Sequence, residues 1–124
     1  MLSLNVLVER FCMEIGDQPS GGLMMVEARG RPLDAQLRLA WANLQVAGTH
    51  FMRAAQIKRR IAGLKIHRKN ENIAGLQLAD LVVSPIGRHV LGKNTRRDFE
   101  IVESKFRRYR GSYKGAGLVV LPKQ

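Results

Sequence analysis

The sequence predicts a mixed α/β domain in which helices outnumber strands. Several segments place apolar residues at helical spacing, whereas the glycine-bounded run Gly22–Ala28 and the alternating stretch Gly63–Arg68 have the patterns of strands. The chain of 124 residues is one domain long, and its 45% apolar and 25% charged residues are ordinary for a globular protein. We therefore expect a single domain over residues 1–124.

The first third of the chain predicts a helix, a strand and a second helix. The apolar stripe of the first helix, over residues 2–15, consists of Leu4, Leu7, Val8, Phe11 and Ile15. The next apolar run, Gly22–Ala28, predicts a buried strand with Glu27 at its C-terminal end. Pro32 opens the second helix with Asp34 in its first turn, where a carboxylate suits the helix dipole, and Gly48 ends it.

The middle of the chain predicts a short basic helix and a second strand. Ile57 and Ile61, four residues apart, mark the apolar side of a helix over residues 52–62. The alternation in Gly63–Arg68 predicts a half-buried strand that directs His67 to its polar side. The three histidines of the chain share no metal-ligand spacing, so we expect His67 to be structural.

The last third predicts two helices and a short strand. A helix from Asn72 to about Gly92 contains Pro85, which removes a backbone donor and predicts a kink. The sequence Thr95–Asp98 is similar to a capping box and would begin a further helix. The apolar face of that helix would consist of Phe99, Val102, Phe106 and Tyr109. Residues Leu118–Leu121 predict a final strand.

Asp80 is the strongest candidate for a functional residue. A narrow polar stripe on the helix after Asn72 consists of Gln77, Asp80, Ser84 and Arg88, and most other positions are apolar. Burial of a carboxylate in such a helix is costly unless the group is paired or binds a metal. Two interpretations stay open: Gln77 and Ser84 hydrogen-bond Asp80 in a structural stripe, or Asp80 is a metal ligand or general base in a cleft.

Glu27 is the second candidate. Acidic residues at the C-terminal ends of strands, before a loop and a helix, are common site residues in α/β folds. The alternative is an edge carboxylate paired with Arg29 or Arg31.

The net charge of +11 is distributed unevenly along the chain. Residues 1–52 hold four bases and five acids, whereas residues 53–124 hold seventeen bases and five acids. Such a basic segment indicates either a polyanionic partner, usually nucleic acid, or a solvated basic face. The candidate phosphate contacts are Lys58, Arg59, Arg60, Arg107, Arg108 and Arg110. Tyr109 and Tyr113 could stack on bases, although Tyr109 suits the predicted helix core better.

Cysteine content and hydropathy exclude several classes of protein. The single cysteine, Cys12, excludes an internal disulfide framework and a cysteine-rich zinc site, and its place beside the first apolar stripe predicts a small core residue. The sequence contains no run of about 18 apolar residues, so it predicts no membrane span. The expected setting is the cytoplasm.

Two segments carry a family resemblance. Asn72–Arg88, with Gln77 and Asp80, resembles the Gln-x-x-Asp motif of the domain of unknown function 3800 family. Val26–Gly30 is similar to that family's Glu-Ser-Arg-Gly segment, with Ala28 in place of Ser, and Asp34 falls where a further acid often follows. The segments Phe99–Phe106 and Gly115–Pro122 are also similar to the family.

The resemblance implies a ribonuclease H-like fold and a metal-dependent nuclease-type site. Carboxylates on neighbouring elements of that fold hold two divalent ions for phosphodiester cleavage. The matching metal ligands here are Glu27 and Asp80, with Gln77 and Asp34 in support and Mg²⁺ or Mn²⁺ as the cations.

The family normally begins with strands that carry an Asp-Glu-Ser motif, which is not among these 124 residues. We therefore expect a truncated, C-terminal portion of such a domain with weak activity or none. The alternative is a non-catalytic basic module that binds nucleic acid or a partner. The expected shortage of strands also predicts that a second copy, or a missing N-terminal segment, pairs with the sheet.

Overall fold

The computed structural model describes residues 2–121 and divides into two compact units, Met1–Glu71 and Asn72–Gln124. The first unit contains α1 (Leu2–Ile15), β1 (Gly22–Glu27), α2 (Arg31–Ala47), α3 (Ala54–Arg60), β2 (Ile61–His67) and a 3₁₀ turn (Lys69–Glu71). The second unit contains α4 (Ala74–Val90) and α5 (Arg97–Lys105). The prediction of one domain over residues 1–124 stays a prediction.

The first unit is built on a two-stranded parallel sheet. Strand β1 pairs with β2 in a register that runs from Met24 beside Leu64 to Glu27 beside His67. Parallel strands need a crossover rather than a hairpin, and α2 and α3 supply it. The predicted mixed α/β class is therefore confirmed. The ribonuclease H-like topology and a partner strand at the edge of the sheet stay predictions.

Helices α1, α2 and α3 bury one face of this sheet. The core of the first unit consists of Leu4, Val8, Cys12, Met24, Leu44, Met52, Ile57 and Ile61. Ile57 of α3 and Ile61 are almost completely buried in this core. The helix predicted over residues 52–62 ends at Arg60, and Ile61 begins β2 instead. Cys12 is fully buried, as predicted for a core residue, and this burial raises the pKa of its thiol.

The other face of the sheet is more open. Alternation along β1 places Leu23, Met25 and Glu27 on the side away from buried Met24. Leu23 and Met25 are both about two-fifths exposed. Lys65 of β2 is exposed on the same face, beside Met25.

The second unit is organised around Phe99 of α5, which is buried. The imidazole of His89 stacks on this ring with centroids 4.1 Å apart, and the Phe106 ring meets it at 6.3 Å. Tyr113 in turn contacts Phe106 at 5.1 Å. This series of aromatic contacts fixes the segment after α5 against α5 and the last turn of α4.

Two sequence predictions for α5, its capping box and the length of its apolar face, are wrong. Helix α5 begins after Arg96 rather than at a Thr95 capping box, because Asp98 instead accepts hydrogen bonds from Arg88 and from the Phe99 N–H. It ends at Lys105, since Phe106 has extended backbone and turns toward Tyr113. Tyr109 therefore lies outside the helix.

The predicted strand Leu118–Leu121 is also absent from the described residues. Leu118 forms only an isolated bridge with Lys114, inside a turn closed by hydrogen bonds to the Tyr113 carbonyl. Because this turn extends to Leu118, the residues after it form no ladder of β-sheet hydrogen bonds in the described range.

We predict that Ile57→Ala lowers the free energy of unfolding by about 2–5 kcal/mol, because the side chain is completely buried and the cavity would not fill. Urea denaturation measures the loss. Val46→Ala in α2, at a position 83% exposed, is the matched control and should change stability little. Equal effects of the two substitutions would contradict this packing.

Candidate functional site at the carboxyl end of β1

Glu27 ends β1 and opens onto a cleft of about 340 Å³. The cleft is lined by Val26, Glu27, Arg29, Leu33, Asp34, Gln36 and Leu37. Its walls are thus the end of the strand, the following loop and the first turns of α2. The structure confirms that Glu27 is a strand-end residue, and it brings Asp34 to the same cleft.

The loop between β1 and α2 is held in one conformation. Gly30 has a φ of 102°, which residues with a side chain adopt only with strain, and its carbonyl accepts the Asp34 N–H at 2.9 Å. Asp34 Oδ1 accepts the Arg29 N–H at 2.9 Å. Pro32 begins α2, as predicted. The sequence therefore positions Asp34 through the backbone of the loop that follows Glu27.

The carboxylate of Glu27 is half-buried and makes no hydrogen bond or ion pair with any residue between 2 and 121. The alternative interpretation, a pair with Arg29 or Arg31, is therefore not what the described part of the chain shows. An unpaired carboxylate at a strand end remains able to bind a cation or a proton donor.

His67 ends β2 directly beside Glu27, a proximity that the sequence does not predict. Its Nδ1 lies 3.2 Å from Glu71 Oε1, and its Nε2 is buried without a hydrogen-bond partner among the described residues. Hydrogen bonds from the Arg68 N–H and from His67 lower the pKa of Glu71. The ionised Glu71 carboxylate can only accept, so Nδ1 carries the proton.

A signal for this arrangement is present in the sequence. His67 lies near the C-terminal end of the predicted strand Gly63–Arg68, as Glu27 does in the predicted strand Gly22–Ala28, and Glu71 follows His67 by four residues.

Asp80 and Gln77 belong to α4 in the second unit, and both are exposed. The expectation that Asp80 lies on a largely buried helix is wrong, because the neighbouring apolar residues are exposed as well: Leu78 (63%), Leu81 (74%) and Val83 (63%). Within residues 2–121, neither Gln77 nor Ser84 hydrogen-bonds Asp80, so the structural interpretation of the stripe is not observed either.

The basic residues of α3 are partly engaged in structure. Asp17 Oδ1 accepts hydrogen bonds from Arg60 Nε at 3.1 Å and from Arg59 Nε at 3.2 Å. Arg60 also donates to the Cys12 carbonyl, which ties the end of α3 to α1. Lys58 is exposed. Arg59 and Arg60 therefore stabilise the first unit, and their contact with phosphate stays a prediction.

The residues after α5 are more open. Arg108 and Arg110 are exposed, and each guanidinium lies over a tyrosine ring, Arg108 over Tyr113 at 5.2 Å and Arg110 over Tyr109 at 5.3 Å. Arg107 is half-buried.

Carboxylate oxygens are the donors that Mg²⁺ and Mn²⁺ prefer, and Mg²⁺ commonly uses only one or two of them beside its waters. The donors of the cleft, Glu27 and Asp34, fit such a hydrated ion. No group of three His, Cys, Asp or Glu side chains within residues 2–121 is arranged to hold a metal.

Comparison of the chain with protein-family models, with curated proteins and with solved structures gives no match. The resemblance to the domain of unknown function 3800 family accordingly depends on the motif residues alone. No helix in the described range, 2–121, has the length and hydropathy needed to cross a membrane.

We predict that Asp17→Asn destabilises the protein at neutral pH, and that the difference from the native chain disappears in acid. Hydrogen bonds from Arg60 and Arg59 lower the pKa of Asp17 below its ordinary 3.8. A lowered folded-state pKa contributes stability above pH 3.8, and this contribution is lost as the pH falls through the folded-state value.

Urea midpoints measured across this pH range test the prediction. Ser20→Asn, an exposed change in the same loop, is the control. A stability difference that stays constant down to the lowest pH would show that the charge of Asp17 is not responsible.

Proposed function

We propose that this protein binds nucleic acid and carries a metal-assisted, ribonuclease H-type phosphodiester-cleaving site at the carboxyl end of β1. One observation carries the proposal: the carboxylate of half-buried Glu27 has no protein partner within residues 2–121, and Glu27 lines a cleft with Asp34. An unpaired carboxylate beside a second acid provides oxygen ligands of the kind that Mg²⁺ and Mn²⁺ bind.

The two acids have different parts in this proposal. Glu27 would be the direct ligand, and Asp34, held by the Arg29 N–H in the first turn of α2, would accept hydrogen bonds from water bound to the ion. A bound divalent cation would supply an activated water and neutralise charge on the phosphate. The resemblance adds Asp80 as a ligand and Gln77 as a supporting residue, and both are exposed to solvent.

Activity is expected to be weak. Glu27 and Asp34 are the two acids that line the cleft, and they give a cation fewer charged ligands than a two-metal site normally provides.

We predict that Mn²⁺ binds the native chain and that Glu27→Gln abolishes the signal, whereas Asp34→Asn weakens binding about 10- to 100-fold. Calorimetry or the relaxation of water protons measures binding. Glu100→Gln, an exposed charge-matched change in α5, is the control. Unchanged Mn²⁺ affinity in Glu27→Gln would refute the site.

Cleavage of labelled single-stranded and duplex substrates extends the test to activity. We expect slow, Mn²⁺-dependent cleavage that is lost in Glu27→Gln. Cleavage that survives this substitution would indicate a contaminating nuclease and would argue against the assignment.

A second candidate function is binding of nucleic acid without catalysis. The lack of a three-ligand group in the described range favours it, as does the charge of residues 72–124, which include ten bases and four acids. This candidate function requires positively charged side chains but no bound metal ion.

We predict that the native chain binds oligonucleotides in EDTA and that log K falls linearly with log [salt], by about 0.7 for each phosphate contacted on a single strand. Asp80→Asn should leave this binding unchanged. Fluorescence anisotropy across a salt series measures both. Salt-independent binding, or none, would exclude this candidate.

A further inference from the structure

We propose that the turn at Tyr109–Ser112 is a binding site for single-stranded nucleic acid, in which Tyr109 stacks on an unpaired base and Arg108 and Arg110 contact the adjacent phosphates. This inference deepens the proposed function, and rests on it for the class of ligand. The proposed site lies in the second unit alone, where Tyr109 is outside α5 and not on the apolar face of a helix.

The turn is a tight reversal of the chain. Tyr109 and Ser112 exchange two backbone hydrogen bonds, of 2.9 and 3.2 Å. The two central residues, Arg110 and Gly111, have φ values of 53° and 82°. Positive φ at both central positions is the requirement of a type I′ turn, which favours Asn or Gly at the first of them.

The stability of the turn does not explain why Tyr109 and Arg110 occupy its exposed tip, Tyr109–Ser112. Arginine at positive φ is strained, and glycine or asparagine would form the same turn more readily. Tyr109 is 67% exposed, so burial of its ring contributes little to folding. Observed strain at an exposed, chemically specialised position favours a role in binding.

The base of the turn is held firmly. Tyr113 contacts the Phe106 ring, which reaches buried Phe99. A side chain at Gly117 would lie 2.5 Å from the backbone of Arg107, so the following loop is packed tightly against the segment that leads into the turn. An exposed tip on a fixed base presents its side chains at low entropic cost.

The tip combines aromatic and cationic groups. The guanidinium of Arg110 covers one side of the Tyr109 ring, and Arg108 covers Tyr113 in the same way while it donates to the Gly111 carbonyl. Residues 105–114 contain five cations and no acid. Stacked guanidinium groups keep their N–H donors at the edge of the ring, where a phosphate can accept them.

This chemistry favours a single strand over a duplex or a membrane. Every base has a π face, but in a duplex that face is covered by its neighbours, whereas an unpaired base can extend the stack of ring and guanidinium. A membrane-inserting tip would present apolar residues in place of Arg108, Arg110 and Ser112.

The test measures the affinity of the full chain for fluorescent oligouridylate in EDTA, with a hairpin duplex and anionic vesicles as competitors. We expect Tyr109→Ala to weaken oligouridylate binding about tenfold and Tyr109→Phe to retain it, because stacking needs the ring and not the hydroxyl. Arg38→Ala, an exposed cation of α2, is the charge control and should have little effect.

Arg110→Gly separates binding from folding. Glycine adopts a positive φ without strain, so the melting temperature should stay the same or rise. The slope of log K against log [salt] should become shallower by about 0.7, because one phosphate contact is lost. A purely structural role of Arg110 would instead leave the salt slope unchanged.

Three results would overturn the inference: native affinity in Tyr109→Ala, equal competition by the duplex, or Tyr109-dependent binding to vesicles without binding to oligouridylate. Failure of the nuclease proposal is distinguishable, because this assay contains no metal. Binding that depends on Tyr109 supports the inference even if Glu27→Gln leaves Mn²⁺ affinity unchanged.

Discussion

Parallel pairing of β1 with β2 is the constraint on which the first unit depends. It demands a crossover, and the crossover places α2 and α3 over one sheet face, where Ile57 and Ile61 fill the core. A two-stranded sheet is marginal in water without such cover. The same pairing brings the carboxyl ends of both strands to one edge, so Glu27 and His67 become neighbours although forty residues separate them.

Buried Phe99 has the corresponding role in the second unit. Its contacts with His89 and Phe106 determine where α5 ends and how the following segment turns. The consequence is chemical as well as architectural, because Tyr109 leaves the apolar face that helical periodicity predicts for it and becomes an exposed ring beside Arg110. Exposure of the Tyr109 ring thus depends on the early end of α5.

The candidate site was partly predictable. Glu27 and Asp34 are predictable because strand ends and first helical turns are local features, and glycine and proline mark them in the sequence. The prediction for Asp80 depends on burial of α4, and the described residues around Asp80 are exposed, since periodicity states which residues share a face but not whether anything covers that face. The proximity of His67 to Glu27 is not predictable, because the neighbours of His67 in sequence do not reveal its neighbour across the sheet.

The sequence by itself determined the order and type of the helices and strands of the first unit, the place of Glu27 and Asp34, and the excess of cations after residue 52, because each follows from local spacing or composition. Only the tertiary structure decided that Glu27 lacks a partner in the described range, that Asp80 is exposed and that Arg108 and Arg110 lie over tyrosine rings. These properties depend on which atoms meet through space, and contacts between distant residues are not encoded in the periodicity of any one segment.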